Sequence, residues 1–117
     1  MKVFAYKNCS TCRNAIKWLE SHNLVFDLIP IRENPPSIIE LEKVLKLSDL
    51  PLNKLFNSSG QDYRRMDMKN RLPEIGKAEA LKLLSENGNL VKRPILLDDK
   101  VALVGFKEAE WSATLGS

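Results

Sequence analysis

The strongest constraint on the fold lies near the start of the chain, where a short apolar run meets a helical pattern. Residues 3–6, VFAY, are strand-forming side chains. An amphipathic stripe at helical spacing follows them, formed by Cys12, Ala15, Ile16 and Leu19. Residues 24–29 then predict a second strand, which Pro30 closes. This order of strand, helix and strand indicates a right-handed crossover between two parallel strands.

The middle of the chain, at about 36–90, predicts a helical insert. Ser37 and Glu40 have the spacing of a capping box and stand ahead of an apolar helical stripe. Further short helices are predicted at 50–56 and 63–68. A longer helix is predicted at 77–86, with its apolar face at Ala78, Leu81 and Leu84.

The last part of the chain predicts a β-hairpin and a closing helix. Residues 95–97 and 101–104 flank the turn-prone segment 98–100, and the helix begins near Lys107. The complete order is βαβ, helical insert, ββα. We therefore expect an α/β fold with a small mixed sheet, in a single domain that spans residues 1–117.

Composition favours a cytoplasmic protein that binds neither membranes nor nucleic acid directly. The opening residues MKVFAYK lack the apolar stretch of about 7–15 residues that a signal peptide needs. The formal net charge of +3 is modest, and the aromatic and helix-turn-helix signals of nucleic-acid domains are missing. A small anionic substrate is compatible with this positive bias.

The two cysteines of the chain stand at the predicted junction of strand and helix. Cys9 lies at the helix cap, where backbone N–H groups, Lys7 and Arg13 favour a thiolate. Cys12 lies on the apolar stripe, so we expect a less acidic thiol that suits a resolving role. This placement predicts a redox pair, with Cys9 as the attacking thiolate.

The cysteine pair also admits two roles without redox chemistry. A zinc site needs about four ligands, and beyond the two thiols the chain offers only one histidine, His22, so no metal is assigned. Alternatively, both cysteines are small buried hydrophobic residues without chemistry.

A second candidate element is Arg93-Pro94, at the very start of a predicted strand. In thioredoxin-like proteins a cis-proline at this place in the order lies beside the reactive thiol. Arg93 would then approach Cys9 and stabilise the thiolate or hold an anionic group. The alternative is an ordinary surface arginine.

Four segments in this order resemble the arsenate reductase-like and Spx group of thioredoxin-fold proteins. They are CSTCR (9–13), FNSSGQDYR (56–64), RPIL (93–96) and LVGF (103–106). The resemblance runs nearly end to end and implies a thioredoxin-like fold with a helical insert between its βαβ and ββα parts.

The arsenate reductases in this group imply one set of roles. Cys9 matches their nucleophile, which attacks arsenate before glutathione and glutaredoxin, or a second thiol, complete the reduction. Arg93 matches an oxyanion-binding arginine, whereas Gly105 and Lys54 stand where two further arginines are expected. The resemblance implies no bound cofactor, and glutathione, glutaredoxin or thioredoxin is the expected electron donor. The remaining expected substrate contacts are Lys7, Asn8, Ser10, Thr11, Arg13 and Pro94.

The Spx regulators imply a different function for the same thiols. They share the C-x-x-C switch, the RPI segment and a glycine at the place of Gly105, and they bind the C-terminal domain of the RNA polymerase α subunit. Their binding loop has a glycine where this chain has Pro51. The resemblance thus leaves two functions: a thiol-disulfide redox protein with a small anionic or disulfide substrate and a redox partner, or a redox-switched regulator.

Overall fold

A computed structural model describes residues 1–116 and shows four strands and six α-helices there. In chain order these elements are β1 Lys2–Ala5, α1 Ser10–Ser21, β2 Asp27–Pro30, α2 Ile38–Ser48, α3 Gln61–Arg65, α4 Met68–Arg71, α5 Lys77–Glu86, β3 Ile95–Leu97, β4 Ala102–Val104 and α6 Glu108–Leu115. Short 3-10 helices lie at Leu52–Leu55, Leu72–Glu74 and Gly88–Leu90. The predicted order of βαβ, helical insert and ββα is confirmed.

The strands form one mixed sheet in the order β2-β1-β3-β4. β1 and β2 are parallel, as the crossover predicted, and Val3 pairs with Leu28. β3 is antiparallel to both β1 and β4, pairing Leu96 with Val3 on one side and Leu103 on the other. The carboxyl ends of β1 and β2 therefore lie at the same end of the sheet as the amino end of β3.

Alternate strand residues pack into two apolar cores on opposite faces of the sheet, as the two-residue period of a strand requires. On one face, strand residues pack against α1 and Trp111 of α6; they are Val3, Ala5, Leu96 and Leu103. On the other face, strand residues pack against α2 and α5; they are Phe4, Ile95, Leu97 and Ala102. The helical insert thus covers the face of the sheet that α1 leaves open.

Two local expectations were wrong. β2 begins at Asp27 rather than at residue 24, because its pairing is set by β1, where the Asp27 N–H donates to the Met1 carbonyl at 2.8 Å. β2 ends at Pro30, as predicted, and Pro30 is its last paired residue, opposite Ala5. In α5 the buried face includes Ala80, while Ala78 is exposed.

Glycine is required at position 88, where two backbone segments come close together. A Cβ atom on Gly88 would lie 1.9 Å from the Ile31 carbonyl oxygen, which leaves no space for any side chain. This contact holds the 3-10 helix Gly88–Leu90 against the end of β2. The segment that follows is held by Leu55, whose carbonyl accepts from the Lys92 N–H at 2.7 Å. Arg93 therefore lies just before the amino end of β3.

No helix within residues 1–116 combines the length and the apolar character needed to cross a membrane.

Candidate functional site

Cys9 is the N-cap residue of α1. Its backbone is extended, with φ −98° and ψ 119°, and its Sγ accepts a hydrogen bond from the Cys12 backbone N–H at 3.3 Å. The Cys9 N–H in turn donates to the Tyr6 carbonyl at 3.0 Å, which fixes the turn between β1 and α1. The thiol therefore occupies the place where a serine or aspartate oxygen usually caps a helix.

The surroundings of Cys9 favour its thiolate. Partial burial pushes the pKa of Cys9 upward, but hydrogen bonds from the Cys12 thiol and backbone N–H, followed by the Arg93 guanidinium, outweigh this effect. The pKa of Cys9 consequently lies below the ordinary value for a cysteine. A half-buried thiolate at a helix N-terminus is a competent nucleophile.

Cys12 is held in the opposite state. Its side chain is fully buried in the core beneath α1 and accepts from the Tyr6 backbone N–H at 3.5 Å. Burial raises the pKa of Cys12 to about 12, and the neighbouring charge of Cys9 acts in the same direction. The two thiols thus differ in environment: Cys9 is half-buried at the cap with a lowered pKa, whereas Cys12 is buried on the apolar face with a raised pKa.

Arg93 and Pro94 lie beside this pair. The Arg93-Pro94 peptide bond is cis. The Arg93 guanidinium carbon lies 5.2 Å from the centroid of the Tyr6 ring, and its charge helps to lower the pKa of Cys9. Arg93 Nη1 is buried without a hydrogen-bond partner among residues 1–116. The structure therefore places Arg93 beside the two cysteines, with one buried guanidinium donor that has no partner among the described residues.

Sequence reasoning missed Arg32 and gave Tyr6 no definite role. The Arg32 guanidinium carbon lies 4.8 Å from the Tyr6 ring centroid, and Nη1 donates to the Tyr6 hydroxyl at 2.8 Å. Asn8 Nδ2 also donates to that hydroxyl, at 3.0 Å; this bond, and after it the nearby Arg32, lowers the pKa of Tyr6. The available signal was positional, since Tyr6 and Arg32 follow the carboxyl ends of two neighbouring parallel strands.

The other predicted contacts are distributed around the Cys9 cap. Lys7, Asn8, Ser10 and Thr11 are exposed in the turn and in the first residues of α1. The Arg13 guanidinium donates to the Lys7 carbonyl at 3.0 Å, so it braces the turn. Thr11 lines a groove that also contains Arg93.

These groups together can perform thiol exchange with an anionic or disulfide substrate. A thiol with a lowered pKa, a second, buried thiol with a raised pKa and a guanidinium with an unpartnered donor lie together where β1 ends and α1 begins. Among residues 1–116, no three His, Cys, Asp or Glu side chains are grouped as metal ligands.

Comparisons with known proteins identify the family. The model of the ArsC family matches residues 4–114. The uncharacterized protein YusI of Bacillus subtilis is 43% identical to this chain, and the match covers 95% of this chain and 94% of the length of YusI. The global transcriptional regulator Spx of Streptococcus mutans is 31% identical over 97% of this chain and 81% of its own.

A solved structure supports the same assignment. The crystal structure of a possible arsenate reductase from Streptococcus mutans UA159 superimposes with a TM-score of 0.84 at 36% identity, covering 91% of this chain and 90% of that one. The predicted α/β, thioredoxin-like fold and the resemblance to the arsenate reductase-like and Spx group are thereby confirmed. The chain belongs to the ArsC family.

Proposed function

We propose that this protein is a thiol-disulfide oxidoreductase in which Cys9 attacks and Cys12 resolves. The observation that carries the proposal is the unequal state of the two thiols: the pKa of Cys9 is lowered, whereas burial raises the pKa of Cys12 to about 12. An inert pair would be expected to have both thiols buried, whereas Cys9 is half-buried at the helix cap and only Cys12 is fully buried.

The proposed reaction is a two-electron exchange. The Cys9 thiolate attacks one sulfur of a mixed disulfide, whose S–S bond breaks, and the leaving thiolate takes up a proton. Cys12 then loses its proton and attacks the Cys9 sulfur, which releases the captured group as a second thiol. The chain is left with a Cys9–Cys12 disulfide, which two molecules of glutathione, or the dithiol of a glutaredoxin or thioredoxin, reduce.

Capture at Cys9 itself prepares Cys12 for the second step. Burial is the main reason for the high pKa of Cys12, but the charge and the hydrogen bond of Cys9 also raise it. A mixed disulfide at Cys9 removes that negative charge. The proton of Cys12 is therefore released more readily after capture than before it, which keeps the resolving thiol inactive until it is needed.

Arg93 is the proposed anion-binding residue, with Pro94 shaping the docking surface. Its buried Nη1 can donate to a carboxylate of a glutathione disulfide or to an oxyanion. Gly105 carries no side chain and Lys54 offers an ammonium rather than a planar fork, so a tetrahedral oxyanion would receive one guanidinium instead of three. We therefore propose a disulfide rather than arsenate as the preferred substrate.

A turnover assay tests this function. The protein is given a mixed glutathione disulfide, or separately arsenate, together with glutathione, glutaredoxin and an NADPH-coupled reductase. We expect multiple turnovers with the disulfide that disappear in Cys9→Ser and fall strongly in Arg93→Ala. A single oxidation without turnover would contradict an enzymatic role.

The second candidate function is a redox-switched regulator of the Spx type, and the similarity to Spx over 97% of this chain favours it. In that case the disulfide would alter a surface that binds the RNA polymerase α subunit. Pro51 precedes the 3-10 helix Leu52–Leu55, where the Spx loop has glycine. A pull-down with purified α subunit, on oxidised and reduced protein and on Pro51→Gly, tests this candidate. Redox-dependent capture together with absent turnover would favour it over the enzyme.

A further inference from the structure

The edge strand β4 forms one wall of a groove. Arg93 lines this groove, but the proposed thiol exchange gives no role to β4. Within residues 1–116, β4 pairs with β3 on one side and with no strand on the other. Residues 102–107 line this groove continuously, and its volume is about 540 Å³. Trp111 holds Gly105 of this wall in place, because the indole N–H donates to the Gly105 carbonyl at 3.1 Å.

The pairing of β3 and β4 shows which backbone groups face the groove. The Asp98 N–H donates to the Val101 carbonyl, and the Gly105 N–H donates to the Pro94 carbonyl. Since hydrogen-bonded and non-hydrogen-bonded pairs alternate in an antiparallel ladder, Leu103 bonds to β3, whereas the N–H and C=O groups of Ala102 and Val104 point outward. Two donors and two acceptors therefore point away from β3; those of Val104 lie on a half-buried residue of the groove wall, whereas Ala102 is buried.

The charge along this groove is strongly positive. Three exposed lysines line it, Lys54, Lys92 and Lys107, and Arg93 also lines it. Among the described lining residues Glu110 is the single acidic side chain, and Lys107 lies 3.8 Å from it. An acidic ligand is therefore complementary to this wall.

We propose that the groove binds an extended acidic segment of a partner protein, which adds a strand to the open edge of β4. Strand addition gives affinity through backbone hydrogen bonds, and flanking side chains supply specificity. Paired strands have the same rise of about 3.4 Å per residue, so three residues of the segment would lie beside Ala102–Val104. About one further residue at each end would reach the lysines, which gives a segment of about five residues. Paired outward donors and acceptors favour a peptide over a nucleic acid, whose phosphates would use only the cations and donors.

This interaction surface goes beyond the proposed thiol exchange, and its test is made independent of it. All binding measurements use the Cys9→Ser protein and a probe without cysteine, so the result does not depend on whether Cys9 performs thiol exchange. The probe is a fluorescein-labelled, capped peptide of alternating Glu and Val residues. The matched peptides replace Glu by Lys, or carry N-methyl groups on alternate residues in either register. We expect the acidic peptide to bind at low salt and the other peptides to lose at least tenfold in affinity.

A pair of variants at one position isolates the strand edge. Val104→Pro removes an outward N–H without breaking a bond to β3, whereas Val104→Ala keeps that N–H and removes most of the side chain. We expect the dissociation constant to rise at least tenfold in the first variant and less than threefold in the second. Thermal unfolding of both proteins shows that each is folded.

A second pair of variants isolates the charge. Lys54→Glu combined with Lys107→Glu should weaken binding at least tenfold, whereas Lys82→Glu on the exposed side of α5 should not. The proposal would be overturned if the N-methylated peptides bound as tightly as the unmethylated acidic peptide and the Val104→Pro protein bound that peptide as tightly as its parent. Tighter binding of a single-stranded oligonucleotide of matched length than of the acidic peptide would also overturn it.

Discussion

The amino ends of α1 and α2 are built alike and yet serve different purposes. In both, an extended N-cap residue precedes the helix, and its side chain accepts the backbone N–H three residues later. Cys9 accepts from Cys12 at 3.3 Å, and Ser37 accepts from Glu40 at 3.1 Å. One cap ends in a thiol and the other in a hydroxyl.

The difference lies in what completes each cap. In α2, the Glu40 carboxylate accepts from the Ser37 N–H at 3.0 Å, and the Lys2 ammonium lies 2.6 Å from the same carboxylate. In α1 the first turn contains no acidic side chain, and Arg93 approaches instead. The α1 cap thus has a cation and no carboxylate beside its thiol, and both features favour the thiolate form.

The largest expected effect separates Cys9 from the thiol one turn further into the same helix. Burial raises the pKa of Cys12 to about 12. A free cysteine has a pKa of about 8.5, so the thiolate fraction of Cys12 is lower by a factor of roughly 1,000 or more. Iodoacetamide at about pH 8 should therefore label only Cys9 in the folded protein and both thiols in urea, as read by mass spectrometry. Equal labelling rates in the folded protein would contradict the burial argument.

Moving the thiol to the other cap tests the comparison directly. Ser37→Cys, in a Cys9→Ser and Cys12→Ser background, places a lone thiol beside the Glu40 carboxylate. We expect its alkylation near neutral pH to be about tenfold slower than that of Cys9 in Cys12→Ser, because like charge disfavours a thiolate. Adding Glu40→Gln should recover part of the rate. An equally reactive thiol at position 37 would mean that any helix start suffices.

Removing the hydroxyl cap should affect stability and leave the chemistry unchanged. Ser37→Ala removes the acceptor for the Glu40 N–H, and the expected loss in free energy of unfolding is about 1 kcal/mol. Urea denaturation measures this loss, and Ser37→Thr is the control that keeps a capping oxygen. A change in the alkylation rate of Cys9 in Ser37→Ala would show that the two caps are not independent.

Arg93 should have a smaller effect on the reactive cap. Because Arg93 is the last of the groups that lower the pKa of Cys9, Arg93→Ala should raise that pKa and slow alkylation a few-fold. Arg13→Ala is the matched control, since that guanidinium is bonded to the Lys7 carbonyl. The prediction is contradicted if the two variants slow the reaction equally.

The pH dependence of stability should differ between wild type and Cys9→Ser. The pKa of Cys9 is lowered in the folded protein, so the stability it contributes is present above the pKa of the unfolded thiol, about 8.5. That contribution is lost as the pH falls through the folded pKa. Urea denaturation between about pH 6 and pH 9 should show the two curves converging at low pH, and parallel curves would contradict the shift.

The sequence was most informative where local chemistry decides the structure. The start of α1 at Ser10 and the capping box of Ser37 and Glu40 follow from residues three positions apart, and both were predicted. The hairpin of β3 and β4 follows from a turn between apolar runs. The bounds of β2 did not, because an apolar run at 24–26 says nothing about where β1 stops pairing.

The site was only partly accessible from the sequence for the same reason. The proposed roles of the two cysteines depend on their positions relative to one helix, Cys9 at its cap and Cys12 on its apolar face. The spacing of apolar residues in the sequence is enough to predict both positions. The placement of Arg32 and Arg93 depends on Tyr6, whose ring centroid lies 4.8 Å and 5.2 Å from their guanidinium carbons. These residues are distant in the chain, and only the strand order brings them together.

The most direct test of the central claim is a titration of the Cys9 thiolate by its ultraviolet absorbance. It is made in the intact protein and in Cys12→Ser, with Cys9→Ser as the blank. We predict that the intact protein shows one thiolate with a pKa below that of a free cysteine, about 8.5. A pKa at or above that value would contradict the proposal that the cap of α1 holds an activated nucleophile.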